Sequence, residues 1–160
     1  MRAIFIGRFQ PIHLGHLHAI KKALEKFDEL VIVIGSSNKE NTYENPFSFE
    51  ERKKMIESCL PNIKIIGMED MENDENWVGT LLEKIEFDVV ISGTDLTKKC
   101  FSGIKGIVEP DLLEPEKYNG TKIREMIIRG ENWKDLVPEE IVEFIENINW
   151  EERLKHIIGE

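Results

Sequence analysis

Residues 3–35 read AIFIGRFQPIHLGHLHAIKKALEKFDELVIVIG, and this stretch decides the fold. It begins with the apolar run Ala3–Ile6 and ends with a second apolar run, Leu30–Ile34, and each run is followed by glycine. Apolar runs without polar alternation are typical of strands that are covered on both faces of a parallel sheet. Between the runs, apolar residues recur with a helical period, at Leu17, Ile20, Leu24 and Phe27. The stretch therefore predicts a right-handed βαβ unit.

The alternation of strand and helix continues along the rest of the chain. Ser48 and Glu51 resemble a capping box, which predicts a helix from there to about Cys59. Further strands are predicted at 63–67, 87–93 and, more weakly, 106–109, and further helices at 77–85, 94–102, 121–129 and 138–148, with a loop at 68–76. No linker or repeat interrupts the pattern. We therefore expect one three-layer α/β domain over residues 1–160, with a mainly parallel sheet.

The composition narrows the class of protein. The 160 residues carry 31 acidic and 21 basic side chains, a net charge of −10, which argues against a broad nucleic-acid-binding face. No apolar run approaches the ~20 residues of a membrane span, and Ala3–Ile6 is too short for a signal peptide. Cys59 and Cys100 lack metal or redox spacing, which favours free thiols in a cytosolic protein.

The first candidate site lies directly after the first strand. His13 and His16 flank Gly15 and open a helix, and Arg8 precedes them. A helix N-terminus favours anions, glycine allows a ligand to approach the backbone, and histidines donate hydrogen bonds to phosphate oxygens. The alternatives are surface histidines or a metal pair, but no further Cys, His or Asp completes a metal shell. The pattern favours a phosphate site.

A second candidate site lies at the start of the helix predicted at 121–129. Thr121 supplies a cap or first-turn hydroxyl, and Arg124 lies one turn later on the same side. Alone, this pattern is more typical of ordinary capping beside an exposed arginine. Together with the histidine motif, it predicts two helix N-termini that bind a polyphosphate between them, with Arg124 as a forked phosphate ligand.

These residues resemble a known family. GRFQP at 7–11 followed by His13-x-Gly15-His16 resembles the HxGH nucleotidyltransferases, in the form found in archaeal nicotinamide-nucleotide adenylyltransferases. The resemblance extends along nearly the whole chain. It includes Gly35-Ser36-Ser37, Asn45-Pro46-Phe47, Glu51-Arg52, Asp70, Trp77-Val78, Ser92-Gly93, Gly120-Thr121-x-Ile123-Arg124, Gly130-Glu131-x-Trp133 and Leu136-Val137-Pro138. It implies a Rossmann-like nucleotidyltransferase fold and transfer of the adenylyl group of ATP to nicotinamide mononucleotide (NMN), giving NAD and pyrophosphate.

The resemblance also implies roles for individual residues. The catalytic group is His13, His16, Arg8 and Arg124. The ATP and phosphate site would comprise Gly7, Arg8, Phe9, Gly15, His16, Gly120, Thr121 and Arg124, and the mononucleotide site would comprise Ser36, Asp70, Trp77 and Gly93. Mg²⁺ would be carried by the ATP phosphates and not by protein ligands. Relatives form homo-oligomers, hexamers among them, and the family implies a cytoplasmic enzyme without membrane or nucleic-acid partners.

The departures from the family pattern fall mainly in loops. Asn119 replaces the serine of the second motif, Thr94-Asp95 replaces Asn-Pro, and residues 37–41 and 73–76 differ from the family's usual sequence. These loops would meet the second substrate more than ATP. The alternatives are therefore another acceptor (flavin mononucleotide, a sugar or alcohol phosphate, or phosphopantetheine), a nucleotide-binding regulator without turnover, and, last, a fragment of a class I synthetase-like protein.

Overall fold

A computed structural model describes residues 1–159 and shows alternating strands and helices. The five strands are β1 (Arg2–Gly7), β2 (Glu29–Ile34), β3 (Lys64–Gly67), β4 (Val89–Ile91) and β5 (Gly106–Val108). The helices are α1 (Leu14–Lys26), α2 (Phe49–Cys59), α3 (Asp74–Lys84), α4 (Asp95–Phe101), α5 (Gly120–Ile128), α6 (Glu139–Asn147) and α7 (Trp150–Gly159), with a 3₁₀ turn at Lys134–Leu136. The predicted domain end at residue 160 lies outside the described residues.

The strands form one parallel sheet in the order β3-β2-β1-β4-β5. The chain moves outward from β1 through β2 to β3 and then returns to the other side of β1 for β4 and β5. Ligands of such sheets bind beyond the carboxyl ends of the strands, at the point where the strand order reverses. The loops that follow β1, β2 and β4 therefore define where the site must lie. The predicted α/β class with a parallel sheet is confirmed.

Each face of the sheet carries its own apolar core, because successive side chains of a strand point to opposite faces. Phe5, Ile32 and Ile91 pack on one face against α1, α2, α5, α6 and α7. Ile4 and Val33 pack on the other face against α3 and α4. The three-layer arrangement agrees with the prediction. No helix among residues 1–159 has the length and apolar character needed to cross a membrane.

The structure corrects two predictions about helices. Helix α3 begins at Asp74 and not at Trp77, so the end of the predicted 68–76 loop is helical. Asn73 caps it by accepting a hydrogen bond from the N–H of Asn76 at 2.8 Å, and the acidic residues that look like a loop favour the positive end of the helix. The second correction is α7, which the sequence analysis leaves unassigned although its Trp150 and Leu154 are fully buried.

The predicted caps are partly confirmed. Ser48 and Glu51 form the capping box of α2. At α5, however, the cap is Asn119, whose side chain accepts from the N–H of Lys122 at 3.2 Å, and Thr121 lies in the first turn. Pro138 is likewise the cap of α6 and not part of its first turn. The other predicted elements are present, with ends that differ by a few residues.

Candidate active site

A cavity of about 450 Å³ lies between the β1–α1 loop and the N-terminus of α5. Eight residues predicted for ATP binding or catalysis line it: Arg8, Phe9, His13, Gly15, His16, Gly120, Thr121 and Arg124. The remaining wall is formed by Phe5, Gln10, Ala19, Thr94, Leu112, Leu113, Pro115, Tyr118 and Asn119. The two motifs, more than a hundred residues apart in sequence, thus meet at the carboxyl edge of the sheet. Gly7 is the one predicted ATP-site residue outside this wall; it ends β1 directly beneath the Phe9 ring.

The two histidines form a reciprocal capping box at the start of α1. The Nδ1 atom of His13 accepts the N–H of His16 at 3.3 Å, and the Nδ1 atom of His16 accepts the N–H of His13 at 3.2 Å. Their rings stack with centroids 3.7 Å apart. Histidine is an unusual cap, and here the same rings satisfy the helix N-terminus and face the cavity.

This capping fixes the protonation of both rings. Burial lowers the pKa of His13 to about 4. Burial, and to a lesser degree the neighbouring His13, lowers the pKa of His16 well below its ordinary value. Both imidazoles are therefore neutral at pH 7. Because each Nδ1 atom accepts a hydrogen bond, each neutral ring carries its proton on Nε2, and that N–H remains a donor for a ligand.

Arg124 lies in the opposite wall and is 97% buried, contrary to the alternative of an exposed arginine. Its Nη1 donates to the carbonyl oxygen of Gln10 at 2.8 Å, and its Nη2 donates to Thr121 Oγ1 at 3.3 Å. Its Nε is buried without an acceptor among the described residues, and its guanidinium lies 5.7 Å from the Tyr43 ring centroid. The side chain is held at the cavity with unused donor capacity.

The cavity is electropositive within an acidic protein. Among its lining residues there is no Asp or Glu, while Arg8 and Arg124 both contribute. Burial, and then the nearby Arg8 charge, lowers the pKa of Arg124 and also that of Arg52, which falls to about 10. Arg124 and Arg52 therefore remain charged at pH 7, and each lies close enough to Arg8 for the like charges to repel. An anionic ligand relieves that repulsion.

Two glycines keep the cavity open. A Cβ on Gly15 would lie 2.8 Å from Tyr118 Cβ and 3.0 Å from the His13 ring. A Cβ on Gly120 would lie 3.3 Å from Arg124 Nη1 and 3.5 Å from the carbonyl oxygen of Gln10. Larger residues would therefore displace the histidine and the arginine that line the cavity.

The residues predicted for the mononucleotide lie outside this cavity; we call Ser36, Asp70, Trp77 and Gly93 the acceptor side. Ser36 Oγ donates to Asp70 Oδ1 at 2.9 Å, and both are open to solvent. Trp77 packs edge-on against Phe101 with ring centroids 6.3 Å apart, and Gly93 is exposed. Only the first pair is joined by a direct contact, so the binding role of the group stays a prediction.

Sequence reasoning missed two buried polar residues that hold the loops. Gln10 is 4% exposed, and its side chain both donates to the carbonyl oxygen of Phe47 and accepts the N–H of Phe47, at 3.1 and 3.0 Å. Arg52 is fully buried beneath the loops that follow β1 and β2. Arg52 lies on the same face of α2 as the buried Met55 and Ile56. That spacing in the sequence could have indicated that Arg52 is buried.

No cluster of three or more His, Cys, Asp or Glu within residues 1–159 is placed to hold a metal ion. Both cysteines are free thiols, as predicted. The remaining histidine on α1, His18, approaches Asp111 at 3.2 Å and does not line the cavity. The chemistry of the cavity thus depends on neutral histidines, guanidinium groups and helix N-termini.

Comparison with known proteins agrees with this geometry. A family model described as cytidylyltransferase-like matches residues 4–126. Proteins named nicotinamide-nucleotide adenylyltransferase are 38% identical in Archaeoglobus fulgidus and 40% identical in Saccharolobus solfataricus, over 99% of this chain and 98% and 97% of theirs. The chain belongs to this adenylyltransferase family. The resemblance predicted from the motifs is therefore confirmed.

Two solved structures share the fold. A bifunctional NMN adenylyltransferase/ADP ribose pyrophosphatase from Francisella tularensis, complexed with AMP and Mn ion, has a TM-score of 0.83 at 26% identity. It covers 99% of this chain, which spans only 52% of that structure. The NadR protein in complex with NAD and AMP-PNP, at 18% identity and a TM-score of 0.60, supports the fold alone.

Proposed function

We propose that this protein transfers the adenylyl group of ATP to NMN, giving NAD and pyrophosphate. The observation that carries the proposal is the cavity in which His13, His16, Arg8 and Arg124 converge without any carboxylate. Relatives about 40% identical over nearly the full chain carry the name of this activity. The reaction places the protein in NAD biosynthesis, as a nucleotidyltransferase.

The reaction needs no nucleophile from the protein. A phosphate oxygen of NMN attacks the α-phosphorus of ATP, the bond to the β-phosphate oxygen breaks, and pyrophosphate leaves. Such a transfer depends on aligning the two phosphates and on stabilising the charge that develops between them. The cavity supplies hydrogen-bond donors and cations and has no acidic side chain in its wall.

We assign the charge stabilisation to residues on both walls. The neutral His13 and His16 rings present Nε2–H donors on one side, and Arg124 presents its guanidinium on the other. Arg8, exposed between the cavity and the acceptor side, is placed to contact phosphate from either substrate. The N–H groups that begin α1 and α5 add two positive helix ends. His13, His16 and Arg124 are held by hydrogen bonds before the substrate arrives, which is the condition for strong transition-state stabilisation.

A divalent metal ion fits this site when it is coordinated by the phosphates of ATP. The cavity wall has no carboxylate to ligate a metal, and its cations would repel a bare one. The F. tularensis relative was crystallised with AMP and Mn ion. We propose Mg²⁺ bound to the ATP phosphates, where it would neutralise charge on the leaving pyrophosphate.

The acceptor side is proposed to bind the mononucleotide. Trp77 offers an aromatic surface and Asp70 a negative charge, both of which favour a cationic pyridinium ring. Ser36 and Gly93 would contact the ribose phosphate from loops that follow β2 and β4. We further propose a cytoplasmic enzyme, consistent with its free thiols, and a homo-oligomer, which light scattering would test.

A substrate panel tests the function. The protein is incubated with ATP, Mg²⁺ and, separately, NMN, nicotinic acid mononucleotide, flavin mononucleotide, phosphopantetheine and glycerol phosphate, and products are separated by chromatography. We expect NAD and pyrophosphate in equal amounts from NMN. If an adenylylated product forms only with another acceptor, NMN is not the substrate, but the protein still transfers the adenylyl group of ATP. ATP binding without any product would indicate a nucleotide-binding regulator.

A further inference from the structure

Arg52, on the first half of α2, makes five hydrogen bonds, all to backbone carbonyl oxygens. Its Nε donates to Ser48 at 3.1 Å. Its Nη1 donates to Arg8 at 3.1 Å and to Gly35 at 2.9 Å. Its Nη2 donates to Ser36 at 3.0 Å and to Lys39 at 3.4 Å. One side chain therefore joins the loop after β1, the loop after β2 and the start of α2.

The environment of Arg52 differs from that of an ordinary buried arginine. Its side chain is fully buried, yet none of the ion pairs among residues 1–159 includes it. Buried charges are normally paired with an opposite charge because desolvation is costly. Here every hydrogen bond to the guanidinium comes from a carbonyl dipole, and the negative charges of Asp70, Glu40 and Glu51 act on it only from beyond ion-pair distance. The loops and the guanidinium thus hold one another in place.

The hydrogen bonds to Arg52 also orient the N–H groups of the same peptides. A trans peptide unit holds its C=O and N–H groups in opposite directions. With the carbonyl groups of Arg8 and Gly35 turned toward Arg52, the N–H groups of Phe9 and Ser36 point away from it. In residues 1–159, neither N–H has a hydrogen-bond acceptor. Backbone N–H groups without a partner in the protein are donors available to an anion.

The backbone of Ser36 supports the same interpretation. Its φ angle of 50° lies in the left-handed region, which a serine adopts only where its surroundings hold it. The peptide units on both sides of Ser36 are bonded to Arg52 through their carbonyl groups, and the next N–H, that of Ser37, donates to Met68 at 2.9 Å. The carbonyl oxygen of Ser36 also accepts the N–H of Lys39 at 3.0 Å, so two of these four backbone hydrogen bonds are lost without Arg52.

We propose that Arg52 is a positioning residue for the transfer reaction: it holds the loops after β1 and β2 so that Arg8 and the outward N–H groups of Phe9 and Ser36 are aligned with the substrate phosphates. This inference rests on the proposed function and adds to it a residue outside the cavity wall. Arg52 acts through the loops and does not itself contact substrate. Its role requires the planar fork of a guanidinium, because one ammonium group cannot span carbonyls from three segments.

The test compares Arg52→Lys and Arg52→Ala with Leu154→Ala, a fully buried position on α7. Leu154→Ala destabilises the fold without removing any bond to the loops, so it controls for lost stability. We measure kcat and KM with ATP and NMN, ATP binding by calorimetry without acceptor, and melting temperature. For Arg52→Lys we expect kcat to fall by about 100-fold, the scale of a misplacement of ~1 Å, together with weaker ATP binding. For Leu154→Ala we expect a lower melting temperature and an unchanged kcat.

A rescue experiment separates positioning from general stability. Millimolar N-ethylguanidinium, which matches the group deleted in Arg52→Ala, should restore part of its kcat and have no effect on Leu154→Ala. Wild-type kcat and ATP binding in Arg52→Lys would overturn the inference, as would equal losses of kcat in Arg52→Lys and Leu154→Ala. If the wild-type protein forms no NAD, the proposed function fails, while the calorimetric comparison still decides the role of Arg52. If Arg52→Ala does not fold, the lysine variant decides alone.

Discussion

The two sides of the site differ in how firmly they are held before substrate arrives. On the ATP side, which we define as Arg8, His13, His16 and Arg124, the two histidines cap each other and Arg124 is 97% buried against Gln10. On the acceptor side, Ser36 and Asp70 share one solvent-exposed hydrogen bond. The side chains of His13, His16 and Arg124 are therefore preorganised, whereas on the acceptor side Arg52 holds the backbone of Ser36 but the side chains of Ser36 and Asp70 have fewer constraints.

This difference shows where the chain retains the family pattern and where it has changed. Residues that also carry buried hydrogen bonds cannot change without cost to the fold, because a buried donor or acceptor left without a partner is destabilising by about 1–3 kcal/mol. Exposed loop residues carry no such penalty. The motif departures at 37–41 and 73–76 lie in the loops nearer the acceptor side, whereas two others, Thr94 and Asn119, lie in the cavity wall. The histidine motif and Arg124, which carry buried hydrogen bonds, keep the family pattern.

The largest expected effect is on the ATP side. We expect His16→Ala to lower kcat by about 10²–10³, the range for loss of one preorganised donor at developing charge. The melting temperature should fall only slightly, because one half of the capping box is lost. His156→Ala, an exposed histidine on α7, is the control and should keep wild-type kcat. Near-normal turnover in His16→Ala would remove it from the mechanism.

Arg124→Lys should have the next largest effect. Lysine keeps the charge but not the fork that reaches both the Gln10 carbonyl and a phosphate. Loss of one charge-assisted hydrogen bond, worth about 1.5–3 kcal/mol, predicts a fall in kcat/KM of about 10- to 150-fold. Since Arg124 is buried, the melting temperature should also fall. If stability falls while kcat/KM is retained, Arg124 is structural and the second motif is only a helix start.

The burial of His13 and His16 should make the stability of the protein depend on pH. Folded His13 has a pKa of about 4 and His16 a lowered one, whereas unfolded histidines take up protons below about 6.5. The unfolded state therefore binds more protons, and stability falls as the pH drops from 6.5 toward 4. We expect the melting temperature to fall by a few degrees between pH 6.5 and 5.

The control for this pH effect is His13→Asn, which keeps a side-chain acceptor at the cap and removes the ring. It should show a shallower slope over the same interval. Glu51 contributes only at lower pH: burial alone would raise its pKa, but hydrogen bonds from Arg153 and Ser48 outweigh burial and lower it. An unchanged slope in His13→Asn would show that the histidine cap does not govern acid stability.

The smallest effect is expected on the acceptor side. Asp70→Asn removes an exposed charge, and exposed charge interactions are worth about 0.2–1 kcal/mol, or up to about fivefold. The wild-type protein should prefer NMN over nicotinic acid mononucleotide, whose added carboxylate is repelled, and the variant should narrow that ratio of kcat/KM. Glu69→Gln, an exposed neighbour, is the matched control. A preference for the acid form would contradict the acceptor assignment.

Short-range patterns in the sequence predicted most of the fold. Apolar runs located the strands, and the Ser48–Glu51 capping box located α2, because both signals lie within a few residues. Helix α7 was missed although Trp150, Leu154 and Ile157 recur with a helical period; what the sequence does not show is the partner that buries this face. Its Trp150 is buried against Phe47, about a hundred residues earlier, with ring centroids 4.4 Å apart. No periodicity reveals that contact.

For the candidate site, too, local motifs were predicted and long-range contacts were not. The histidine and arginine motifs were correctly placed together, because helix starts after parallel strands converge at one edge of the sheet. The burial of Arg124 and the mutual capping of the histidines were not predicted, since both depend on contacts with residues distant in sequence or on ring orientation. Arg52 illustrates the limit most clearly: a charged residue on a short helix looks like solvent-exposed surface until the loops fold over it.

The anchoring of α7 has a consequence for the order of events during synthesis. Arg153 on α7 pairs with Glu51 at 2.7 and 2.9 Å and also donates to the carbonyl oxygen of Pro46. Pro46 is next to Phe47, whose backbone is hydrogen-bonded to Gln10. Helix α7 therefore stabilises the segment that contacts Gln10. The two ion-pair partners are 102 residues apart. At roughly 5–20 residues per second, a ribosome needs about 5–20 s to supply the second partner. The loops of the candidate site are thus translated well before the helix that secures them.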